Sequence, residues 1–406
     1  MIRRTSLAFA ALVPFALWAC STSTSADPTN ESDDTTSTDD VGTDDTAKDA
    51  GSSTTTERLA PEIGTGDKSA SSVTLTEIAT AKDGLKQPRD LAFNTRNTTQ
   101  LWVVNNGDNG TLIMDKATTE DRSSEYRIDG YAIHFMANPA AIDFGQDDTT
   151  FGVLGTFGTC GESRNTYGGQ TPGNDFMGPV LWSSDLSVFA AQDPEGLGSH
   201  LDMLHNTPLC MGIDHETANR YWVFEGLSGS IALYDFKLDH NIGQDDHTDG
   251  EYYQYAKGQV AYVEGVPSHV VYNPADKMLY IADSGNSRIA KLDTTTGTKG
   301  ATIKPKEPMP VSVAMDGTQV DDVVAAKTKK LTTPSGIELY NDLLYVSDNA
   351  TGRITAFTLK GKEVNHLDTD LPAGALAGMA FGPDKKLYVV DMVGNRVLRI
   401  DPKKTK

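Results

Sequence analysis

The chain has 406 residues and a formal charge of −21, from 56 acidic and 35 basic side chains. That balance argues against nucleic acid or an anionic lipid surface as a partner of the body. No apolar run after the first twenty residues is long enough to cross a bilayer, and about 335 residues remain for folding, ample for a full core.

Arg3 and Arg4 give a positive start, and Leu7 to Trp18 is an apolar run too short to span a membrane. It closes on Leu17-Trp-Ala-Cys20, which resembles a bacterial lipobox, although Trp18 fills a slot usually held by a small or β-branched residue. Residues 1–20 therefore read as a lipoprotein signal peptide, with Cys20 acylated and the lipid bilayer its partner. An ordinary secretory signal with a chance Cys is the competing reading. Ser21 in place of Asp after the Cys resembles retention in the outer rather than the inner membrane, so the expected location is the cell envelope.

Residues 21–71 are a Ser/Thr/Asp-rich run, with pairs such as Asp33-Asp34 and Asp44-Asp45 and almost no large apolar side chain. Such a stretch cannot offset its ordering entropy, so a disordered tether is expected, with an end-to-end distance of roughly 40 Å. The signal contributes +2 and residues 21–70 contribute −9, leaving −14 for the rest.

From residue 72 to 406 one pattern recurs six times: a Pro followed at the third position by an apolar residue that opens a strand. The copies are Pro88-Arg-Asp-Leu91, Pro139-Ala-Ala-Ile142, Pro208-Leu-Cys-Met211, Pro267-Ser-His-Val270, Pro334-Ser-Gly-Ile337 and Pro372-Ala-Gly-Ala375. A second strand then ends on a polar residue, followed by a turn and a third strand. The clearest examples are Leu279-Tyr-Ile-Ala-Asp283, Leu344-Tyr-Val-Ser-Asp348 and Leu387-Tyr-Val-Val-Asp391. Pro suits a strand's start, Tyr, Val and Ile suit a buried pleat, and the Asp accepts from the turn's backbone donors. The pattern resembles the NHL-repeat family. The resemblance implies an all-β, six-bladed β-propeller with four strands per blade. The last blade supplies three strands before the chain ends, so Val73 to Ile78 is expected to close the ring as its outer strand.

In a propeller the first strand of each blade begins, and the second ends, on one face near the central channel. That geometry sends Asp90, Ala141, Cys210, His269, Gly336 and Gly374 to the channel mouth, together with Asn105, Glu225, Asp283, Asp348 and Asp391. It also puts Cys160 and Cys210 on adjacent blades. A disulfide is the first reading of that pair in an oxidising compartment; a thiolate pair that binds metal with His269, or two free thiols, are the others.

Seven of the eight histidines fall between His134 and His269, the third of the chain that also holds both these cysteines. Residues 161–207 are too long for a blade connection unless they fold over the body, and they carry Glu162, Arg164 and His205. A candidate binding face therefore comprises Asp90, Asn105, Glu162, Arg164, His205, Glu225, His269 and Asp283. Asp245, His247 and Asp249 before Gly250 imitate the first half of a calcium loop, but Ala256 stands where the closing Glu belongs. Either the loop is simply solvated, or these residues, with His269 as a further candidate, hold calcium or zinc. Two functions follow. One is a lipoprotein displaying a propeller that binds a protein or small molecule through one face. The other, implied by resemblance to propeller lactonases, phosphotriesterases and a zinc lyase, is a metal-dependent hydrolase or lyase at the channel mouth near blades 2–4.

Overall fold

A computed structural model describes residues 59–145, 150–151, 153–165, 170–244 and 246–403. Cys20, most of the Ser/Thr/Asp run and Asp245 lie outside these residues.

The repeat works as local chemistry dictates. Each apolar run stops at a side chain that takes up the N–H groups of the following turn: Asp348 Oδ1 accepts from Ala350 and Thr351 at 3.1 and 3.2 Å, and Asp391 Oδ1 from Gly394 at 2.7 Å. The chain then returns antiparallel, which sets Asp283 opposite Arg288 and Asp391 opposite Arg396. Both pairs are ion pairs, at 2.8 and 2.7 Å.

Six sheets result. Their innermost strands are, for blades 1 to 6, Pro88–Phe93, Pro139–Phe144, Cys210–Thr217, Val270–Asn273, Pro334–Tyr340 and Leu376–Phe381. The fold is an all-β, six-bladed propeller; among the described residues the one α-helix is the four-residue Ala132–Phe135. Blades pack through their large side chains. Trp102 of blade 1 meets Phe144 and Phe157 of blade 2 edge-on, at 5.5 and 5.0 Å between ring centres. Near the axis the inner strands approach so closely that a Cβ on Gly336 would lie 2.2 Å from the carbonyl oxygen of Ala377.

In blade 6 the outermost strand is Val73–Ala79, paired antiparallel with Arg396–Pro402 from Val73 opposite Pro402 onward. Residues 60–64, inside the Ser/Thr/Asp-rich run, pack on the propeller. Ala60 and Ile63 are fully buried against blades 5 and 6, and Asn365 Nδ2 donates to the carbonyls of Ala60 and Gly64. The reason lies in the repeat. Tyr280 and Tyr388 donate their hydroxyls to an acid four residues earlier, Asp276 and Asp384. In blade 5 that place is Asn341, and Tyr345 donates instead to Glu62 at 2.6 Å. A modest loss, about 1 kcal/mol, is expected for Tyr345→Phe, measured by denaturant melting.

Blade 3 carries an addition. The segment between the third and fourth strands of blade 4 forms a hairpin, Thr298–Thr302 with Val311–Asp316, and the latter strand pairs parallel with the outer strand Glu251–Tyr255 of blade 3. Blade 3 is thereby a six-stranded sheet.

Candidate functional site

Cys160 and Cys210 form a disulfide with Cα atoms 5.4 Å apart, so neither supplies a thiolate. Asn105, Glu225 and Asp283 stand where the sequence places them, at the ends of second strands, but their polar atoms are spent on structure. Asn105 accepts from Lys86 N and donates to Gly84 O; Glu225 accepts from Ser228 and Ser230; Asp283 accepts from Ala261 N.

Asp90 and His269 do line the central channel, a cavity of about 170 Å³. His269 Nδ1 lies 3.6 Å from Asp90 Oδ1, and its Nε2 contacts Ala140 O at 3.0 Å. The sequence reading missed three further acids there: Asp143, Asp214 and Glu338. Asp90, Asp143 and Asp214 each take a backbone N–H from the next blade: Ile142 at 2.9 Å, His215 at 2.7 Å and Tyr272 at 2.7 Å. Their recurrence on successive inner strands was the available signal. Burial pushes the Asp90 carboxyl up to about 6, against the pull of His269. Burial, then repulsion from Asp143, raises Asp214 well above the ordinary carboxylate range; Glu338 is raised well above it too, by burial first and then by Asp143. A raised native pKa contributes stability in full below the unfolded value, near 4, and loses it as pH rises through the native value. Asp214→Asn, which keeps an acceptor for Tyr272 N, should therefore raise the melting temperature at pH 8 and leave it unchanged at pH 4. A gain independent of pH would contradict this account.

The mouth above these acids is closed by the protein's own groups. Arg89 of blade 1 donates to Gly265 O and lies 2.9 Å from Met392 Sδ of blade 6, while Glu162 Oε1 accepts from Gly265 N at 2.7 Å. Arg164 is not at the channel; it makes a two-pronged ion pair with Asp175, at 2.7 and 2.8 Å.

His205 lies elsewhere, so the candidate binding face does not come together as one surface. His205 follows Asp202–Met203, the outer strand of blade 2, and meets the blade 3 addition at the rim of the molecule. Its N–H donates to Glu307 Oε1 at 2.6 Å and its Nδ1 contacts Glu307 Oε2. Its Nε2 faces His134 Nε2 at 3.3 Å, and the Phe176 ring stacks on it at 3.7 Å. His247 Nδ1 bonds Asp202 Oδ1 at 2.7 Å, and its Nε2 lies 4.0 Å from Glu307 Oε2. His240 Nε2 sits 3.1 Å from Asp249 Oδ1 and 3.8 Å from Asp202 Oδ2. Thus His247 and Asp249 have different partners, and His269 faces Asp90 in the channel instead of joining either. Burial lifts Asp202 to about 6, opposed by His247. His200 is drawn into the same region, its ring stacked 3.5 Å from Phe135, and burial lowers it to about 3, which keeps it neutral.

The fold defines a six-bladed propeller, with a polar, histidine-rich rim at blades 2 and 3. No protein-family model and no curated protein matches the sequence. Among solved structures the chain is similar to a luciferin-regenerating enzyme, at 13% identity and a TM-score of 0.50, over 82% of this chain and 97% of that one. It is also similar to an auxiliary nutrient binding protein from Bacteroides thetaiotaomicron (13%, 0.48, 78% and 69%) and to virginiamycin B lyase from Staphylococcus aureus (12%, 0.45, 82% and 90%). At these identities the likeness concerns the fold alone.

Proposed function

We propose that the protein is a cell-envelope lipoprotein, held in the outer membrane by an acylated Cys20, whose propeller binds a protein or small-molecule partner at the rim of blades 2 and 3. The observation that carries this reading is where the chain places its extra residues. The exit of strand Asp202–Met203, the described part of loop 236–250 and the Thr298–Thr302/Val311–Asp316 hairpin meet at that rim through His205, His247 and Glu307, while Arg89, Glu162 and His269 lie at the channel mouth. Loops on a rigid scaffold are where binding is usually built. A metal-dependent hydrolase or lyase is the second reading, and the donor set of His205, His247 and Glu307 favours it at the rim, not the mouth.

Two measurements test the proposal. Cys20→Ala should move the protein from the membrane fraction to the soluble one; retention after a salt wash would sink the anchor. A photo-crosslinking residue at Leu238, exposed at the rim, should give a discrete adduct in intact cells, and one at Val393, exposed beside the mouth, should not. Adducts from Val393 alone would move the binding site to the channel.

A further inference from the structure

We infer that His205, His247 and Glu307 hold one divalent transition-metal ion of the zinc class, tying the exit of blade 2's outer strand to the loop and the added hairpin of blade 3. This inference rests on the reading that puts function at the rim, and supplies that site with its chemistry. The three residues come from distant parts of the chain: the exit of blade 2's outer strand, the loop before blade 3's outer strand, and the stretch joining the two strands of the added hairpin. Their donor atoms nonetheless all lie within 4.8 Å of one another.

Geometry assigns each nitrogen. His247 Nδ1 is committed to Asp202 Oδ1 at 2.7 Å, which leaves Nε2 facing Glu307. His205 Nε2 is committed to His134 at 3.3 Å, which leaves Nδ1 facing the same carboxylate. Each imidazole thus has one nitrogen anchored by a polar partner and the other turned to a common point. That arrangement orients ligands in metal sites, where the outer partner fixes the tautomer and raises basicity. Asp202 is fully buried, and its Oδ2 makes no hydrogen bond. Its position as the outer partner of His247 accounts for a carboxylate kept so far from water.

The donor set selects the metal. Two imidazoles and a carboxylate suit zinc and its neighbours, whereas calcium needs six to eight oxygens and one carboxylate here cannot provide them. With both cysteines in a disulfide, soft thiolate chemistry is excluded. Three protein ligands leave a fourth position for water or for a donor from the partner. His205, His247 and Glu307 side chains are 2%, 8% and 6% exposed, so charge held there needs a close counter-charge, and a cation between two neutral imidazoles and a carboxylate provides it.

The test uses the full chain purified in detergent, stripped with a chelator and titrated with Zn2+ against a chromophoric competitor. One equivalent should bind and raise the melting temperature, and Co2+ in its place should show the visible absorption of a four-coordinate ion. Glu307→Gln and His247→Ala should each weaken binding at least about 100-fold, and Asp202→Asn about 10- to 100-fold. His269→Ala, in the channel, should leave affinity unchanged. If wild type shows neither stoichiometric zinc nor the Co2+ spectrum, the site is a buried His205–Glu307 ion pair only and the inference falls. Binding of several equivalents indifferent to Glu307→Gln is attraction to the acidic surface, and overturns it equally. Zinc bound without any rim crosslink would instead defeat the partner reading while leaving the metal site standing.

Discussion

Deleting Val73–Ala79 is expected to lower the melting temperature by more than about 10 °C, or to abolish folding, although the segment is only seven residues long. The strand buries Val73 and Ile78 and covers Val397, Leu398 and Ile400 of its partner, none more than 4% exposed. Burial of a Val or Ile side chain contributes about 1.5–3 kcal/mol, so losing two and uncovering three approaches the whole stability of an ordinary domain. The side-chain ties go as well: Thr76 Oγ1 to Asp401 at 2.6 Å, and Glu77 to Arg396 at 2.9 Å. A rescue separates ring closure from mere truncation. Because Val73 lies opposite Pro402, the same seven residues can be appended after Pro402 through a short hairpin turn and run in the native direction. That permuted chain should regain most of the lost stability. If it melts no higher than the deletion, closure is not what the strand supplies.

The second large effect concerns the disulfide. Cys160 and Cys210 are 50 residues apart, and the chain-entropy relation gives about 4 kcal/mol for a loop of that size. Replacing both with Ala should cost the protein several kcal/mol in denaturant unfolding, with Ala chosen because both sites are buried among Leu181, Ile213 and Val223. Reducing agent should lower the melting temperature of wild type and leave the double variant unaffected. Equal responses would mean that the bridge does not form in the purified protein. The loop it closes contains His200, Asp202 and His205, so zinc affinity should weaken in the double variant as well.

The repeat made the blades legible because each copy carries its own turn chemistry: Asp283, Asp348 and Asp391 stop a strand in the sequence as they do in space. The cysteine pairing followed from the same register, since strand ends on adjacent blades are neighbours. The rim was legible only as a concentration of histidines. Its geometry depends on Glu307, 102 residues beyond His205, carried there by a strand that pairs parallel to blade 3. Nothing local announces parallel pairing; the 40-residue gap between Asp293 and Pro334, which the sequence reading passed over, was the available mark of added structure. The channel acids other than Asp90 escaped notice because they stand deeper along the inner strands, four residues after the Pro for Asp143 and Glu338 and six for Asp214. Of the calcium-loop residues, Asp245 lies outside the described residues, and His247 and Asp249 take separate partners, Asp202 and His240.

The pairing of Thr76 with Asp401 spans 325 positions, and this has consequences for how the molecule comes into being. Contacts of such separation are slow to form, since a long loop must close before they repay it. Val73–Ala79 waits for Arg396–Pro402. Until Arg396–Pro402 has been made, blade 6 has no complete sheet, and the apolar residues of Val73–Ala79 have no native partner. A chain interrupted anywhere before Arg396 cannot form a sealed ring. Synthesis of Arg396–Pro402 is therefore also the event that commits the fold, and chaperones that hold extended chains would matter most in the interval before it.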